Sequence, residues 1–205
     1  MNIITHALIG WTFGQRFCPS RRDAGLVAVA AVIPDLDAVG APLEVLSRGT
    51  SWEVTWFSDF HHVLGHNVAA ALVTVLVAAA LSQHRLKTAL FAALMFHVHL
   101  LGDIVGAKGP DGEQWPIPYL YPFVRTWEIT WSGQWEINAW PNLVLTILLL
   151  AYMFVLTRNC GYSFLWYLSE KGDRALVETI RQRFPLRSAS PAVATDGHPD
   201  TPHLP

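Results

Sequence analysis

Residues 138–157 contain no charged side chain, and this stretch sets the strongest limit on what the chain can fold into. A transmembrane helix needs about 20 consecutive, predominantly apolar residues, and residues 138–157 reach that length. Because a bilayer core offers no water to the backbone, such a segment satisfies its own polar groups by forming a helix. We therefore expect residues 138–157 to cross a lipid bilayer as a helix.

Four further apolar segments precede this one, at residues 3–17, 23–33, 67–83 and 88–102. Each is shorter, so length alone also allows buried helices of a soluble bundle. Their alanine-rich runs are typical of helices that approach closely in lipid. Charged residues make up 15% of the chain, against about 25% in soluble domains. We predict an all-α fold, a membrane-embedded bundle of about five helices with a lipid bilayer as its partner.

Basic residues gather at one end of this predicted bundle. In an up-and-down arrangement they fall on the same side: Arg16, Arg21, Arg22, Arg85, Lys87 and Arg158. The positive-inside rule makes that side cytoplasmic, so the histidines and aspartates at the other end face the outer compartment. Cys18 and Cys160 then lie on the cytoplasmic side as free thiols. The net charge of −2 gives no general attraction to nucleic acid, and we expect no such partner.

Two segments complete the predicted organisation. Residues 106–140 form a long connection rich in tryptophan, which is typical either of a functional lid or of an aromatic belt that anchors the bundle. Residues 169–205 suggest an amphipathic cytoplasmic helix followed by a disordered tail. We therefore divide the chain into a membrane-bound domain, residues 1–168, and a cytoplasmic segment, residues 169–205. No removable signal peptide is predicted at the N-terminus.

The clearest chemical signal is the pair His99 and Asp103, which are four positions apart and share one face of a helix. An imidazole and a carboxylate in that relation form a platform for zinc or a similar divalent ion. A histidine hydrogen-bonded to a carboxylate in a protein core gives the same pattern. Asp35 and Asp37 follow an apolar run that Pro34 ends, and carboxylates there are costly unless they face water, a partner or a metal.

More histidines lie on the same predicted side of the bundle. His6 lies in the first apolar segment, and the sequence FHHVLGHN contributes His61, His62 and His66. If a helix runs through this stretch, His62 and His66 share a face, whereas His61 lies about 140° from His66. The combined set predicts a metal centre with ligands for one or two divalent cations and open positions for water.

The order of these motifs resembles a known family. A T-H pair, then P-D-L-D, then H-x4-H before an apolar helix, then H-L-L-x-D is similar to the bacterial inner-membrane metal-dependent hydrolases of the YdjM type. The resemblance covers residues 3–103. That family in turn is similar to zinc-dependent phospholipase C and P1-type nucleases, which are helical and bind one to three zinc ions. The resemblance implies a multi-pass protein of the bacterial inner (plasma) membrane that binds zinc.

The resemblance also implies specific residue roles. It places metal ligands at His6, Asp35, His61, His66, His99 and Asp103, and it matches Asp37 to the second acid of the pair. The family pattern is H-R-G-x-T-H-S where this chain has HHVLGHN, so His62 stands at the arginine position. Helical geometry favours His62 as the ligand and the resemblance favours His61, so both remain candidates.

These observations predict a membrane-bound hydrolase in which a metal-activated water attacks a small-molecule or lipid phosphoester. Asp35 or Asp37 is the candidate general base. The leading alternative is a non-enzymatic membrane protein that binds or transports metal ions, since ionisable groups within membranes often line ion paths. A soluble α-helical phosphoesterase is a third possibility, against which the uncharged residues 138–157 argue.

Overall fold

The computed structural model describes residues 1–109, 112–167 and 169–186. These residues form eight α-helices and two 3₁₀ helices, and no strand occurs among them. The all-α class predicted from the sequence is therefore confirmed. The predicted disordered tail, residues 185–205, lies almost wholly outside the described residues.

The helices follow one another with short connections up to residue 106. They are α1 (Ile3–Phe17), α2 (Arg21–Ala30), a 3₁₀ helix (Ile33–Gly40), α3 (Ala41–Ser47), α4 (Trp56–Phe60), α5 (Val68–Leu81), α6 (Arg85–Gly106), α7 (Trp140–Cys160), a second 3₁₀ helix (Phe164–Tyr167) and α8 (Glu170–Arg183). The five predicted apolar segments correspond to α1, to α2 with the start of the first 3₁₀ helix, and to α5, α6 and α7.

Side-chain caps explain where several helices begin. The side chains of Asn2, Ser20 and Asn67 accept hydrogen bonds from backbone N–H groups in the first turns of α1, α2 and α5. Such caps satisfy donors that have no partner within the helix. Pro34 stands in the first turn of the 3₁₀ helix, where its missing N–H costs nothing.

The chain forms two compact units, which divide between Thr157 and Arg158. In the second unit, Ser163 and Asp173 join the segment before the second 3₁₀ helix to α8, with the Ser163 hydroxyl donating to the Asp173 carboxylate over 2.8 Å. Helix α8 lies where the sequence predicts an amphipathic helix. The domain boundary that the sequence predicts after residue 168 is not tested by this division and stays a prediction.

Helices α1 and α2 pack at very short distance in the first unit. A Cβ atom on Gly10 would lie 2.5 Å from the Cβ of Ala31, and one on Gly14 would lie 2.7 Å from the Ala24 carbonyl oxygen. The two glycines are four positions apart and so face the same side of α1. This is the small-xxx-small arrangement that lets helix backbones approach in membranes.

Small residues also line the contact among α2, α5 and α6. Ala30, Ala78 and Ala92, one from each helix, form a buried apolar cluster. Closer to the C-terminal end of α6, Phe96 is fully buried and packs with Ala71 of α5. The alanine-rich runs in the sequence therefore mark the helix contacts, as membrane helices require.

Two helices are long and apolar enough to cross a membrane. These are α6, with 22 residues, and α7, with 21. Helix α2 and residues 33–47 meet at a bend of 53°, and the two form a third potential span if together they count as one. Asn142 connects α7 to α6, because its amide donates to the Gly106 carbonyl oxygen over 2.8 Å. The Thr146 and Thr5 hydroxyls lie 2.6 Å apart and connect α7 to α1.

Candidate metal centre

The C-terminal half of α6 supplies two chemically active side chains to the interior. His99 and Asp103 are each 1% exposed, and the His99 Nε2 lies 2.9 Å from the Asp103 Oδ2. Their spacing of four positions puts both on the inner face of the helix, as the sequence predicts. Gln134 donates to the Asp103 backbone carbonyl oxygen over 2.8 Å and ties the following connection to this point of α6.

The histidine-rich stretch is not a helix. Helix α4 ends at Phe60, His61 is extended at its C-terminal cap, and α5 begins only at Val68. The expectation of a helical face shared by His62 and His66 is therefore wrong. The reason is local packing: a Cβ on Gly65 would collide with the Pro34 carbonyl oxygen, so the chain turns tightly against the 3₁₀ helix at this glycine.

Four side chains from three segments meet where α6, the 3₁₀ helix and this turn come together. Asp35, His66, His99 and Asp103 each offer a ligand atom, and these atoms all lie within 4.8 Å of one another. The His66 and His99 Nε2 atoms are 3.2 Å apart. The Asp35 Oδ1 lies 3.6 Å from the His99 Nε2. We call these four residues the metal-binding group.

The two imidazoles of the metal-binding group are held by their other nitrogens. The His99 Nδ1 lies 2.8 Å from the Ala31 carbonyl oxygen. A carbonyl oxygen only accepts, so the proton is on Nδ1 and a neutral His99 presents a lone pair at Nε2. The His66 Nδ1 lies 3.1 Å from the Asp37 Oδ2 in the same way. Such outer partners orient histidine ligands at metal sites.

Asp37 therefore differs from Asp35 in role, although the two are only two positions apart. Its Oδ1 lies 2.9 Å from the His61 Nδ1, and its Oδ2 accepts from the Gly65 N–H over 2.9 Å as well as contacting His66. Both Asp37 oxygens are thus engaged in orienting the histidine turn. The assignment of Asp37 as a general base stays a prediction that this geometry does not favour.

Neighbouring carboxylates favour the charged form of His66. Burial lowers the pKa of His66, but its hydrogen bonds to Asp103 and Asp37 outweigh that effect and raise the pKa to about 9. Among the described residues, the buried Oδ2 of Asp35 has no hydrogen-bond donor. A buried carboxylate oxygen without a donor is costly, and a metal ion or a water that binds it removes that cost.

His6 lies next to the metal-binding group. Its Nε2 is 3.0 Å from the Asp103 Oδ1, and its ring stacks on His99 with centroids 3.7 Å apart. Gly102 leaves room for this approach, since a Cβ there would lie 3.0 Å from the His6 ring. His6 is thus placed to orient Asp103 or to bind a metal directly, and its predicted ligand role stays a prediction.

His61 and His62 lie beside the group without joining it. His62 has φ of 66°, a left-handed conformation that costs a non-glycine residue on the order of 1 kcal/mol. Its side chain is buried, and its Nδ1 has no hydrogen-bond partner among the described residues. Burial, together with the neighbouring His66 and His61, holds the pKa of His62 well below its usual value.

Two cavities adjoin His61 and His62. The first, of about 420 Å³, is lined mainly by apolar groups and includes Asp35. The second, of about 800 Å³, includes several carboxylates and is far more polar. Both have a common wall formed by Phe57, His61, His62, Trp115 and Ile137. Trp115 comes from the tryptophan-rich connection, which therefore contributes directly to the space beside the metal-binding group.

Some residues of this site cannot be recognised from the sequence alone. The Ala31 carbonyl acts through its backbone, so its side chain gives no indication of the role. Gly65 and Gly102 have a signal only in retrospect, as glycines one position from His66 and from Asp103. Trp115 could not be distinguished from the other tryptophans of residues 106–140.

A family model described as "YdjM inner membrane protein" matches residues 1–169. The chain belongs to the YdjM inner membrane protein family. No curated protein and no solved structure matches the chain. The match spans every member of the metal-binding group, and it confirms the YdjM-type resemblance drawn from the motifs.

Family membership also bears on location. The YdjM family is one of inner membrane proteins, and α6 and α7 have the length and composition to cross a bilayer. The chain is therefore a membrane protein. The number of crossings and the side that the metal-binding group faces stay predictions, as does a similarity to phospholipase C and P1-type nucleases.

Proposed function

We propose that this YdjM-family protein is a metal-dependent hydrolase that cleaves a phosphoester, with Asp35, His66, His99 and Asp103 as the ligands of a divalent cation. The observation that carries the proposal is the meeting of these four buried side chains, whose ligand atoms lie within 4.8 Å of one another. Imidazole nitrogens combined with carboxylate oxygens suit zinc.

A divalent cation held here supplies a water of lowered pKa, about 7, and polarises the bond to be cut. The protein's own residues prepare the site for it. Asp37 and the Ala31 carbonyl fix the rings of His66 and His99 so that both Nε2 atoms point inward. Burial excludes bulk water from Asp103, which strengthens its attraction for a cation.

Asp35 is the better candidate for the general base. Its Oδ2 has no hydrogen-bond donor among the described residues, whereas both oxygens of Asp37 are engaged. Asp35 also lines the apolar cavity, where a substrate can approach it. We assign to its Oδ2 the proton taken from the attacking water.

A phosphoester is the substrate class we propose, and a lipid phosphoester is its more specific form. Support comes from the expected similarity of the YdjM-type family to zinc-dependent phospholipase C and from the large cavities beside the metal-binding group. Both cavities fall in the size range of small-molecule sites, about 300–1,000 Å³.

Ion transport is the alternative function, and it needs ionisable groups at several depths. Asp23 is buried near the N-terminal end of α6, about 20 Å along the helix from His99 at 1.5 Å per residue. Its oxygens are occupied, however, by the Gln83 N–H at 2.8 Å and the His84 ring at 2.7 Å. Asp35, whose Oδ2 has no donor among the described residues, lies at the other end, which favours a local site over a path.

The test is metal analysis of detergent-purified protein together with hydrolysis of a panel of phosphoesters. We expect a stoichiometric divalent metal in the unaltered protein and its loss, together with turnover, in His99→Ala. The matched control is His97→Ala, two positions earlier on α6, where the side chain is exposed and outside the metal-binding group. This control should retain both metal and turnover.

Two outcomes would count against the proposal in different ways. Full turnover by protein stripped of metal would refute the metal-dependent mechanism. Bound metal without hydrolysis of any phosphoester would favour the non-enzymatic alternative, and transport assays in proteoliposomes would then follow.

A further inference from the structure

The two cavities beside the metal-binding group differ in chemistry although they have a common wall. We call the first the apolar chamber; Leu36, Ala38, Val39 and Ala107 line it together with Asp35. We call the second the acidic chamber; Glu44, Glu113 and Glu128 line it, with Arg48 as the only guanidinium among its described lining residues. An apolar space beside an acidic space, with a common wall, matches a ligand that has an apolar chain and a cationic head.

The common wall carries a polar group that has no partner among the described residues. His62 is 4% exposed, its backbone is in the left-handed conformation, and its buried Nδ1 finds no hydrogen bond there. Unsatisfied buried polar atoms and strained backbone occur together where a ligand completes the site. Because His62 lines both chambers, a ligand that occupies both of them contacts it.

The rim of the apolar chamber exposes large apolar side chains. Leu36 is 56% exposed and Val39 is 73% exposed, and both lie on the 3₁₀ helix that forms part of a potential membrane span with α2. Large apolar side chains exposed at the edge of a cavity mark an interaction site. A chain can therefore enter the chamber laterally, from the bilayer.

The charge of the acidic chamber selects the head group. Three glutamates against one arginine give a negative field, and a cleft lined by one sign of charge concentrates ligands of the opposite sign. A purely anionic head group is disfavoured there, whereas an amine is attracted. The phosphate of such a lipid then lies between the chambers, beside the common wall and Asp35.

We propose that the two chambers bind one membrane lipid, with an acyl chain in the apolar chamber and an amine-bearing head group, such as phosphoethanolamine, in the acidic chamber. This inference rests on the proposed function in one respect, that the bound lipid is the substrate. Binding itself does not require hydrolysis, so the two claims can fail separately.

The experiment measures lipid retention by native mass spectrometry of the full chain, released from detergent with equal amounts of phosphatidylethanolamine and phosphatidylglycerol. We expect the unaltered protein to retain phosphatidylethanolamine by about tenfold over phosphatidylglycerol, a difference of about 1.4 kcal/mol. Ala38→Phe fills the apolar chamber and should lower retention of both lipids by about the same factor. Its control, Ala80→Phe, introduces the same side chain at an exposed position of α5 and should retain lipid normally.

A second variant tests the head-group claim without touching the apolar chamber. Glu113→Lys combined with Glu128→Lys changes two exposed residues, so folding should be unaffected, and we expect the preference to reverse toward phosphatidylglycerol. Glu53→Lys combined with Glu178→Lys makes the same change in net charge at exposed positions outside the chamber. This control should keep the original preference.

Each result has a distinct meaning. Equal retention of the two lipids by the unaltered protein, or a preference that the Glu113 and Glu128 reversal leaves unchanged, would overturn the inference. Hydrolysis of a water-soluble phosphoester alongside such a result would leave the proposed function standing. Selective retention of phosphatidylethanolamine by metal-loaded protein that never cleaves it would support the binding inference and refute its being the substrate.

Discussion

Helices α6 and α7 are nearly the same in length and hydropathy, yet they occupy opposite environments. Over their most apolar windows, α6 has a mean hydropathy of 1.7 with 44% of the residues buried, and α7 has 1.9 with 6% buried. Helix α6 carries two members of the metal-binding group, His99 and Asp103, on its buried face, whereas α7 carries none. Hydropathy thus identifies both helices as potential spans, and the ionisable residues mark the one that faces the protein interior.

The strongest test of this comparison removes a ligand from α6. Asp103→Asn replaces a charged ligand by a neutral amide of the same shape, so we expect metal affinity to fall by more than about 100-fold. Competition with a chromogenic chelator measures the change. Adding Asn142→Asp on α7 to this variant restores one negative charge outside the metal-binding group, so the double variant should not regain metal affinity. Recovery of metal affinity would contradict the assignment of Asp103 as a ligand.

Packing provides the second test. Phe96→Ala on α6 empties a site that is 0% exposed, and it should cost about 3–5 kcal/mol of unfolding free energy. Leu148→Ala on α7, where the side chain is 62% exposed, should change that free energy by less than about 0.5 kcal/mol. Denaturant titration in detergent measures both. Similar losses in the two variants would mean that α7 is buried by something other than lipid.

The third test concerns support of the ligands from outside α6. Asp37→Asn keeps the shape of the side chain but weakens the contacts to His61 and His66, so metal affinity should fall by about 10- to 100-fold. Chelator competition again provides the measurement. Asp59→Asn is the matched control, since Asp59 is exposed and contacts only Thr55 through its side chain among the hydrogen bonds identified. Unchanged affinity in Asp37→Asn would remove its orienting role.

The smallest expected effect concerns the connection of α7 to α1. Thr146→Val removes a hydroxyl that lies 2.6 Å from the Thr5 hydroxyl, and hydrogen bonds between membrane helices contribute about 0.6 kcal/mol. Thr74→Val on α5 is the control, because its hydroxyl bonds only to the Ala70 carbonyl of its own helix. The difference in thermal unfolding between the two variants measures the contribution of the α1–α7 contact to stability. Equal stability of the two variants would show that this contact contributes nothing.

The sequence predicted the site well where the signal was local. His99 and Asp103 share a face because helical periodicity requires it, and α6 is a regular helix through both. The prediction failed at residues 61–66, where a helix was assumed. A tight turn forms there instead, because Gly65 packs against Pro34, and that contact joins segments about 30 positions apart. Pattern reasoning within a single segment cannot see such a contact.

By itself the sequence determined the all-α class, the apolar spans and the pool of imidazoles and carboxylates, because periodicity, hydropathy and residue chemistry act over neighbouring positions. Only the tertiary structure decided how that pool divides. Asp35 belongs to the metal-binding group while Asp37 orients the histidines, and His66 belongs to the group while His62 lines the chambers. These roles depend on where separate helices bring individual atoms together, to within about an ångström, and no spacing along the chain encodes that.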